Sequence, residues 1–104
     1  DPPNPKSYAF CSDTSYKPNI VPLIKNVDVL YHEATFLDDQ ADLAPKTMHS
    51  TAKEAASIAK QANVGKLILG HYSTRYKSIT LFKDEANEVF SSVELADDGK
   101  VFNF

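Results

Sequence analysis

The most constraining feature of this sequence is an amphipathic helix pattern followed at once by a short, largely apolar strand. Residues 52–63 place alanines at spacings of three and four, which is typical of a helix with one buried face, and Thr51 with Glu54 predicts a capping box at its start. Residues 64–70 (VGKLILG) are apolar through their centre, as in a strand that a parallel sheet buries on both faces. A helix leading into such a strand predicts a parallel α/β architecture.

The same alternation of strand and helix extends over the rest of the chain. Two further strands and two further helices are predicted: strands over 7–12 and 27–31, and helices over 20–26 and 80–90. The polar segment 37–48 is predicted as a loop, and the tail 92–104 as a β-hairpin that turns at Asp98-Gly99. The fold class is therefore α/β, with three parallel-type strands, right-handed crossover helices and a C-terminal hairpin.

Length, composition and charge limit the number of domains, the cellular location and the kind of partner that the chain can have. A chain of 104 residues with 42% hydrophobic residues is enough for one domain with a core. The opening Asp-Pro-Pro-Asn-Pro carries no initiator Met, so we expect a segment of a longer protein. No run approaches the roughly 18 apolar residues of a membrane span. The single cysteine, Cys11, forms no internal disulfide, which favours a cytoplasmic location. The net charge of −3, without a basic stripe, indicates no nucleic-acid surface on this segment.

Reactive side chains follow each predicted strand, at the end where open parallel sheets bind their ligands. Asp13 follows the first strand, His32 and Glu33 follow the second, and His71 follows the third. Asp13 would suit a carboxylate that bridges two metal ions such as Zn²⁺ or Mn²⁺, and His71 would suit a metal ligand. Taken singly, Asp13 is equally well interpreted as a turn residue. A histidine such as His71 is more often a core residue than a ligand, but its pairing with Asp13 at a neighbouring strand end reverses that preference.

Glu33 and His49 form a second candidate pair. His49 precedes the capped helix, and a carboxylate beside a histidine is the arrangement that orients and charges a general acid. The alternatives are an exposed acid and a surface histidine. His32 alternates in direction with Glu33 along the strand, so we expect it to face away and to serve packing or hydrogen bonding.

Ser73 and Arg75 lie beside His71, where their donors would suit a phosphate. The alternative for Arg75 is a surface residue paired with an acid. Cys11 is interpreted as a small buried strand residue without chemistry.

Four segments in this order resemble those of the ribonuclease Z family, the tRNA 3′-processing endonucleases of the metallo-β-lactamase fold. The segments are Cys11-Ser12-Asp13-Thr14, His32-Glu33-Ala34-Thr35-Phe36, His49-Ser50-Thr51 and Gly70-His71-Tyr72-Ser73-Thr74-Arg75-Tyr76. The resemblance covers nearly the whole chain, and the HEAT and HST strings distinguish this family from other hydrolases of the fold.

The resemblance implies a role for each matched position. Residues 1–104 would be the C-terminal half of a single metallo-β-lactamase αβ/βα sandwich. Asp13 would bridge two zinc ions, with Mn²⁺ as an alternative metal, and His71 would be the last histidine ligand of the second zinc. Glu33 and His49 would donate a proton to the leaving 3′ oxygen. Ser73 and Arg75 would contact the substrate phosphate.

The chain also departs from the family. The principal metal motif, His-x-His-x-Asp-His, does not occur among its three histidines, and the arm that grips tRNA is missing. We therefore expect the isolated segment to lack nuclease activity, to bind metal weakly and to self-associate, whereas the parent enzyme would be a homodimer acting on precursor tRNA.

Two other functions stay open at this point. Another metallo-β-lactamase-fold phosphodiesterase or an arylsulfatase-like hydrolase would share Asp13 and His71, but has less reason to carry both Glu33 and His49. A non-catalytic α/β phosphate-binding module would use the same strand ends to hold a phosphate.

Overall fold

Four short parallel strands form the central sheet in the computed structural model, which describes residues 7–11, 15–73, 76 and 78–96. The strands lie in the order β1-β2-β3-β4, and each pairs in parallel with the next. Their bounds are β1 (Tyr8–Cys11), β2 (Val29–Glu33), β3 (Lys66–Gly70) and β4 (Val93–Leu95). The three predicted parallel strands are confirmed. The first run of the predicted hairpin is a fourth parallel strand, while its turn at Asp98-Gly99 lies outside the described residues.

Strand β2 is displaced from its predicted position. It runs from Val29 to Glu33 rather than over 27–31, because the parallel ladder with β3 continues until Glu33 lies opposite Gly70. His32 and Glu33 are therefore the last residues of a strand and not the first residues of a loop.

The helices are shorter than predicted, and the predicted loop is partly helical. The helix bounds are α1 (Val21–Ile24), α2 (Leu43–Lys46), α3 (Ala52–Ala62) and α4 (Thr80–Asn87), with short 3-10 helices at Pro18–Ile20 and Asp38–Gln40. The prediction of an unbroken loop over 37–48 was wrong. Pro45 is tolerated in the first turn of α2, where a backbone N–H would have no partner within the helix, and Ala44 is fully buried.

One face of the sheet carries the hydrophobic core. Side chains that alternate along the strands, such as Leu30 and Leu67, point toward the helices and are fully buried. Five alanines of α3 have no exposed surface and let the helix approach the sheet closely: Ala52, Ala55, Ala56, Ala59 and Ala62. Phe82 of α4 fills the space beside them and is also fully buried.

The other face, which we call the open sheet face, carries the side chains of Tyr8, Phe10, Tyr31 and Ile68. Phe10 is 77% exposed and Tyr8 is 51% exposed. The rings of Phe10 and Tyr31 pack against each other with centroids 5.6 Å apart. Large apolar side chains of this kind at the surface indicate a contact surface.

Across the part of the chain that the structure describes, no helix combines the length and the apolar character needed to cross a membrane.

Candidate active site

Glu33, His49 and His71 meet at the carboxyl end of the sheet, although they come from three separate segments. Glu33 ends β2, His49 lies in the turn between α2 and α3, and His71 directly follows β3. One potential ligand atom from each residue lies within 4.8 Å of the other two. The rings of His49 and His71 are edge to face, with centroids 5.3 Å apart. The structure therefore brings together three of the predicted site residues.

The carboxylate of Glu33 is completely buried, and it accepts hydrogen bonds from at least four donors in the described part of the chain. Its Oε1 accepts a hydrogen bond from His49 Nδ1 at 2.8 Å. Its Oε2 accepts from the backbone N–H of Thr35 at 3.1 Å, from the Thr35 hydroxyl at 2.9 Å, and from the backbone N–H of Ser50 at 3.2 Å. Without such partners, burying a carboxylate would cost on the order of several kcal/mol. The network thus explains how an acid can sit inside the fold.

The hydrogen bond to Glu33 also orients His49. Because a carboxylate oxygen accepts, Nδ1 carries the proton and Nε2 is left for chemistry outside the pair. The His49 side chain keeps 21% of its surface exposed, whereas that of Glu33 has none. Phe36 packs edge-on against the imidazole, with ring centroids 6.2 Å apart. A buried acid therefore fixes the orientation of a partly exposed histidine.

Glu33, His49 and His71 could also hold a metal ion, since all three carry suitable ligand atoms. The existing hydrogen bonds favour different roles within the group. Both oxygens of Glu33 are already occupied by hydrogen bonds, so binding a metal there would break part of the network that keeps the acid buried. His71 is exposed and offers an imidazole as a ligand. A single histidine is too few ligands for a closed metal site, so further ligands are required.

The backbone is strained on both sides of this group. His71 adopts a left-handed conformation with φ 65°, and Met48, next to His49, does so with φ 61°. For residues with a Cβ this conformation costs roughly 1–2 kcal/mol, whereas glycine adopts it freely. Strain that persists at neighbouring positions is common around functional sites.

Two of the predicted site residues, Asp13 and Arg75, lie outside the described residues. Ser73 is described and partly buried, and its backbone N–H donates to the carbonyl oxygen of Thr35 at 2.9 Å. This bond ties the segment after β3 to the segment after β2, beside the Glu33 network.

His32 faces away from Glu33 toward the helix-covered side, as predicted, and forms a hydrogen bond. Its Nδ1 donates to the backbone carbonyl of Glu33 at 2.7 Å, and the side chain is buried. Its Nε2 is buried as well and finds no hydrogen-bond partner in the described part of the chain. Burial lowers the pKa of His32, so the neutral imidazole is favoured.

Thr35 and Ser50 are functional residues to which the sequence interpretation assigned no role. Both supply donors to Glu33 and both are buried. The only signal was their position inside the HEAT and HST strings, because nothing local indicates that two distant segments converge on one carboxylate.

Comparisons with known proteins agree with this fold. No protein-family model matches the chain. It is 50% identical over 95 residues to a ribonuclease Z from Parabacteroides distasonis, covering 91% of this chain and 31% of that protein. It is 52% identical over 97 residues to a ribonuclease Z from Cytophaga hutchinsonii, covering 93% of this chain and 31% of that protein. The chain thus spans about a third of the length of the curated relatives that it matches.

Solved structures give a consistent result. A metallo-β-lactamase fold protein, YhfI from Bacillus subtilis, superposes with a TM-score of 0.82 at 33% identity, covering 90% of this chain and 38% of that one. The short form of human tRNase Z gives a TM-score of 0.62 at 36% identity, covering 80% of this chain and 27% of that one. The four-stranded parallel sheet with its helices is therefore a partial metallo-β-lactamase fold.

Proposed function

Because this chain is homologous to part of ribonuclease Z, we propose that the protein containing it is a metal-dependent endoribonuclease that removes the 3′ trailer of precursor tRNA. Residues 1–104 would be the C-terminal part of its single catalytic domain. The observation that carries the proposal is the fully buried Glu33, which is hydrogen-bonded to His49 at 2.8 Å. Both residues lie at the carboxyl end of the sheet, where His71 lies as well. The identity of about 50% to curated ribonuclease Z relatives supports it.

His49 acts as the general acid in this proposal. With Nδ1 bound to Glu33, the imidazolium form carries its other proton on Nε2, from which it can be delivered to the leaving 3′ oxygen. Glu33 contributes by holding the ring in one orientation through the hydrogen bond to Nδ1. Thr35 and Ser50 keep Glu33 in place, because they bond the oxygen that His49 does not use.

Asp13 and His71 would hold the metal through a carboxylate and an imidazole. Two Zn²⁺ ions are proposed, with Mn²⁺ as an alternative, because imidazole and carboxylate ligands suit both. When bound, such a pair supplies an activated water and neutralises charge on the phosphate. His71 lies 5.3 Å from His49 between ring centroids, so the proposed acid works beside the metal ligand.

Ser73 and Arg75 are proposed to contact the substrate phosphate. The Ser73 backbone N–H donates to the Thr35 carbonyl oxygen, which fixes this residue beside the Glu33 network. The parent enzyme is further proposed to be a cytoplasmic homodimer.

The decisive experiment compares two substrates on the parent protein. We expect it to cleave a 3′-extended precursor tRNA once, at the end of the acceptor stem, with loss of activity after chelation and recovery on adding Zn²⁺ or Mn²⁺. The matched control is a precursor carrying no 3′ extension. Failure to cut the extended precursor while an aryl phosphodiester or sulfate ester is hydrolysed would contradict the proposal.

The 104-residue chain on its own is expected to be inactive on the same precursor, because two ligands do not complete a two-metal site. Cleavage by this chain, purified free of host nucleases, would overturn that expectation.

A second candidate function is tested by the same assay, because YhfI, described only as a metallo-β-lactamase fold protein, superposes on this chain more closely than the human tRNase Z does. In that case the parent would be a hydrolase of small esters built on the same fold. Its small-ester activity would then exceed its activity on precursor tRNA.

A further inference from the structure

The side chain of Tyr31 lies across Gly70 on the open sheet face. The two residues are diagonal neighbours on adjacent parallel strands, since Tyr31 pairs with Ile68 and Glu33 pairs with Gly70. A methyl group added at Gly70 would overlap the Tyr31 hydroxyl and lie 2.7 Å from its Cζ atom. The glycine therefore leaves the space into which the phenol extends, toward the carboxyl end of the sheet.

This position brings the hydroxyl to the carboxyl end of β3, next to the segment that carries the candidate site. Gly70 directly precedes His71, and Glu33 follows Tyr31 by two residues on the same face of β2. The residues that the structure describes form no hydrogen bond with the Tyr31 hydroxyl. A tyrosine phenol keeps its proton at neutral pH, so the hydroxyl is available as a hydrogen-bond donor.

Packing accounts for the ring but not for the hydroxyl. The ring contacts Phe10 and Gly70, and a phenylalanine would make the same contacts. No described residue accepts a hydrogen bond from the Tyr31 hydroxyl. The space that the hydroxyl occupies exists because Gly70 has no side chain. A neutral O–H donor beside the residue that precedes a proposed metal ligand suits an anionic oxygen of the substrate.

We propose that the Tyr31 hydroxyl donates a hydrogen bond to a non-bridging oxygen of the scissile phosphodiester of the RNA. This inference rests on the proposed function and adds a substrate-contacting residue from β2 to the pair formed by Glu33 and His49. The bond would hold the phosphate beside Gly70, the residue that precedes the proposed metal ligand His71.

The geometry can be tested in the 104-residue chain by a double-mutant cycle. Gly70→Ala alone is expected to lower the midpoint of urea unfolding, because the added methyl collides with Tyr31. In a Tyr31→Leu background the same Gly70→Ala change is expected to have a much smaller effect. Equal losses in both backgrounds would overturn the placement of the phenol.

The chemistry is tested in the parent enzyme by Tyr31→Phe, with Tyr8→Phe as the matched control on the same sheet face. We expect kcat on a 3′-extended precursor tRNA to fall roughly ten- to a hundredfold, as for loss of a hydrogen bond to a charged group. Metal content, measured by elemental analysis, and affinity for an uncleavable precursor are expected to change less than about threefold, and Tyr8→Phe is expected to match the wild type.

Phosphorothioate substrates separate contact from indirect effects. With sulfur in place of the contacted oxygen, the wild type and Tyr31→Phe are expected to cut at similar rates, whereas the other diastereomer keeps the full difference. A Tyr31→Phe enzyme as fast as the wild type, or one equally impaired on every substrate, overturns the inference and leaves the proposed function intact. A wild type that does not cut precursor tRNA overturns both.

Discussion

At the scale of single residues, the unusual feature is a carboxylate that has no exposed surface and at least four hydrogen-bond donors. Three of the donors bind Oε2 of Glu33 and come from the backbone and hydroxyl of Thr35 and the backbone of Ser50. The fourth, His49, is the only one of these residues with a side chain partly open to solvent. The network thus fixes the buried carboxylate, and the carboxylate in turn orients one partly exposed imidazole.

The general-acid role of His49 predicts a specific kinetic defect. In the parent enzyme, His49→Ala is expected to lower kcat on precursor tRNA by roughly 10²- to 10⁴-fold, the range of a lost general acid. Affinity for the precursor should change little, since the histidine acts on the leaving group. Single-turnover kinetics together with a binding titration measure both quantities, and equal losses in the two would rule out the role.

Glu33 and His49 should behave as one unit. Glu33→Gln replaces one of the two accepting oxygens with an amide N–H₂, which cannot accept from His49 or from the donors of Thr35 and Ser50. We expect the double variant Glu33→Gln/His49→Ala to be no slower than His49→Ala alone, because residues acting together are not additive. Rates that multiply would show that the two side chains act independently.

His32 predicts a pH dependence of stability. Burial lowers its pKa in the folded chain, so below about pH 6.5 the unfolded chain binds the proton that the folded chain does not. Stability is therefore expected to fall as the pH drops from about 6.5 toward the lowered pKa, by at most about 1.4 kcal/mol per pH unit. Above that window the contribution of His32 is constant.

The matched variant is His32→Asn, which keeps a donor for the Glu33 carbonyl but does not titrate. Urea unfolding of both chains between pH 5 and pH 8 gives the difference, with these pH values chosen as roughly one and a half units on either side of an ordinary histidine pKa. An identical pH profile for the two chains would mean that His32 is not the titrating group.

At the scale of elements, helix α3 is capped twice at its N-terminus. Thr51 and Glu54 form the predicted capping box, with bonds of 3.1 Å and 2.9 Å. The N–H of Lys53 is satisfied from outside the helix, by Glu85 Oε2 of α4 at 2.9 Å. The other oxygen of Glu85 accepts from the backbone N–H of Asp38 at 2.7 Å. One carboxylate therefore connects α4, the start of α3 and the segment after β2, which are the elements around His49.

Replacing this carboxylate should loosen all three elements. Glu85→Gln turns one acceptor into a donor that faces a backbone N–H, and we expect a loss of about 1.5–3 kcal/mol in the free energy of unfolding. The matched control is Glu88→Gln, an exposed residue on the next turn of the same region, which should cost less than about 0.5 kcal/mol. Chemical denaturation measures both, and equal effects would argue against the connecting role.

At the scale of the whole molecule, the sheet is covered on one side only within the described residues. The helices bury Leu30, Leu67 and their neighbours, while Phe10 and Tyr8 on the open sheet face are mostly exposed. In a longer protein this face is available to the remaining chain. In the 104-residue chain it is available to a second copy.

The isolated chain is therefore expected to self-associate through the open sheet face. Phe10→Ser should shift sedimentation and light scattering toward the monomer, because it removes the most exposed aromatic ring of that face. Leu23→Ser is the control, since Leu23 is 84% exposed but belongs to α1, on the helical side. A wild-type chain that stays monomeric over a wide concentration range would contradict the expectation.

Much of this architecture could be predicted from the sequence, because the relevant signals are local. The capping box, the spacing of the alanines in α3 and the apolar run of β3 each lie within a few turns or one strand, so the order of strands and helices follows from them. The motif strings likewise indicate Glu33, His49 and His71 as candidate site residues, since each lies within a short run of neighbouring residues. Short helices inside 37–48 were missed, because Pro45 and the surrounding polar residues look like a loop unless their burial is known.

What only the tertiary structure decided concerns contacts between distant segments. The sequence by itself determined that Glu33 and His49 lie near strand and helix ends, through their local patterns. Because β2 pairs with β3, the strand continues to Glu33, and that acid lies opposite Gly70. The same register places the side chain of Tyr31 over the glycine. Strand register and burial depend on neighbours that are distant along the chain, and no local pattern contains that information.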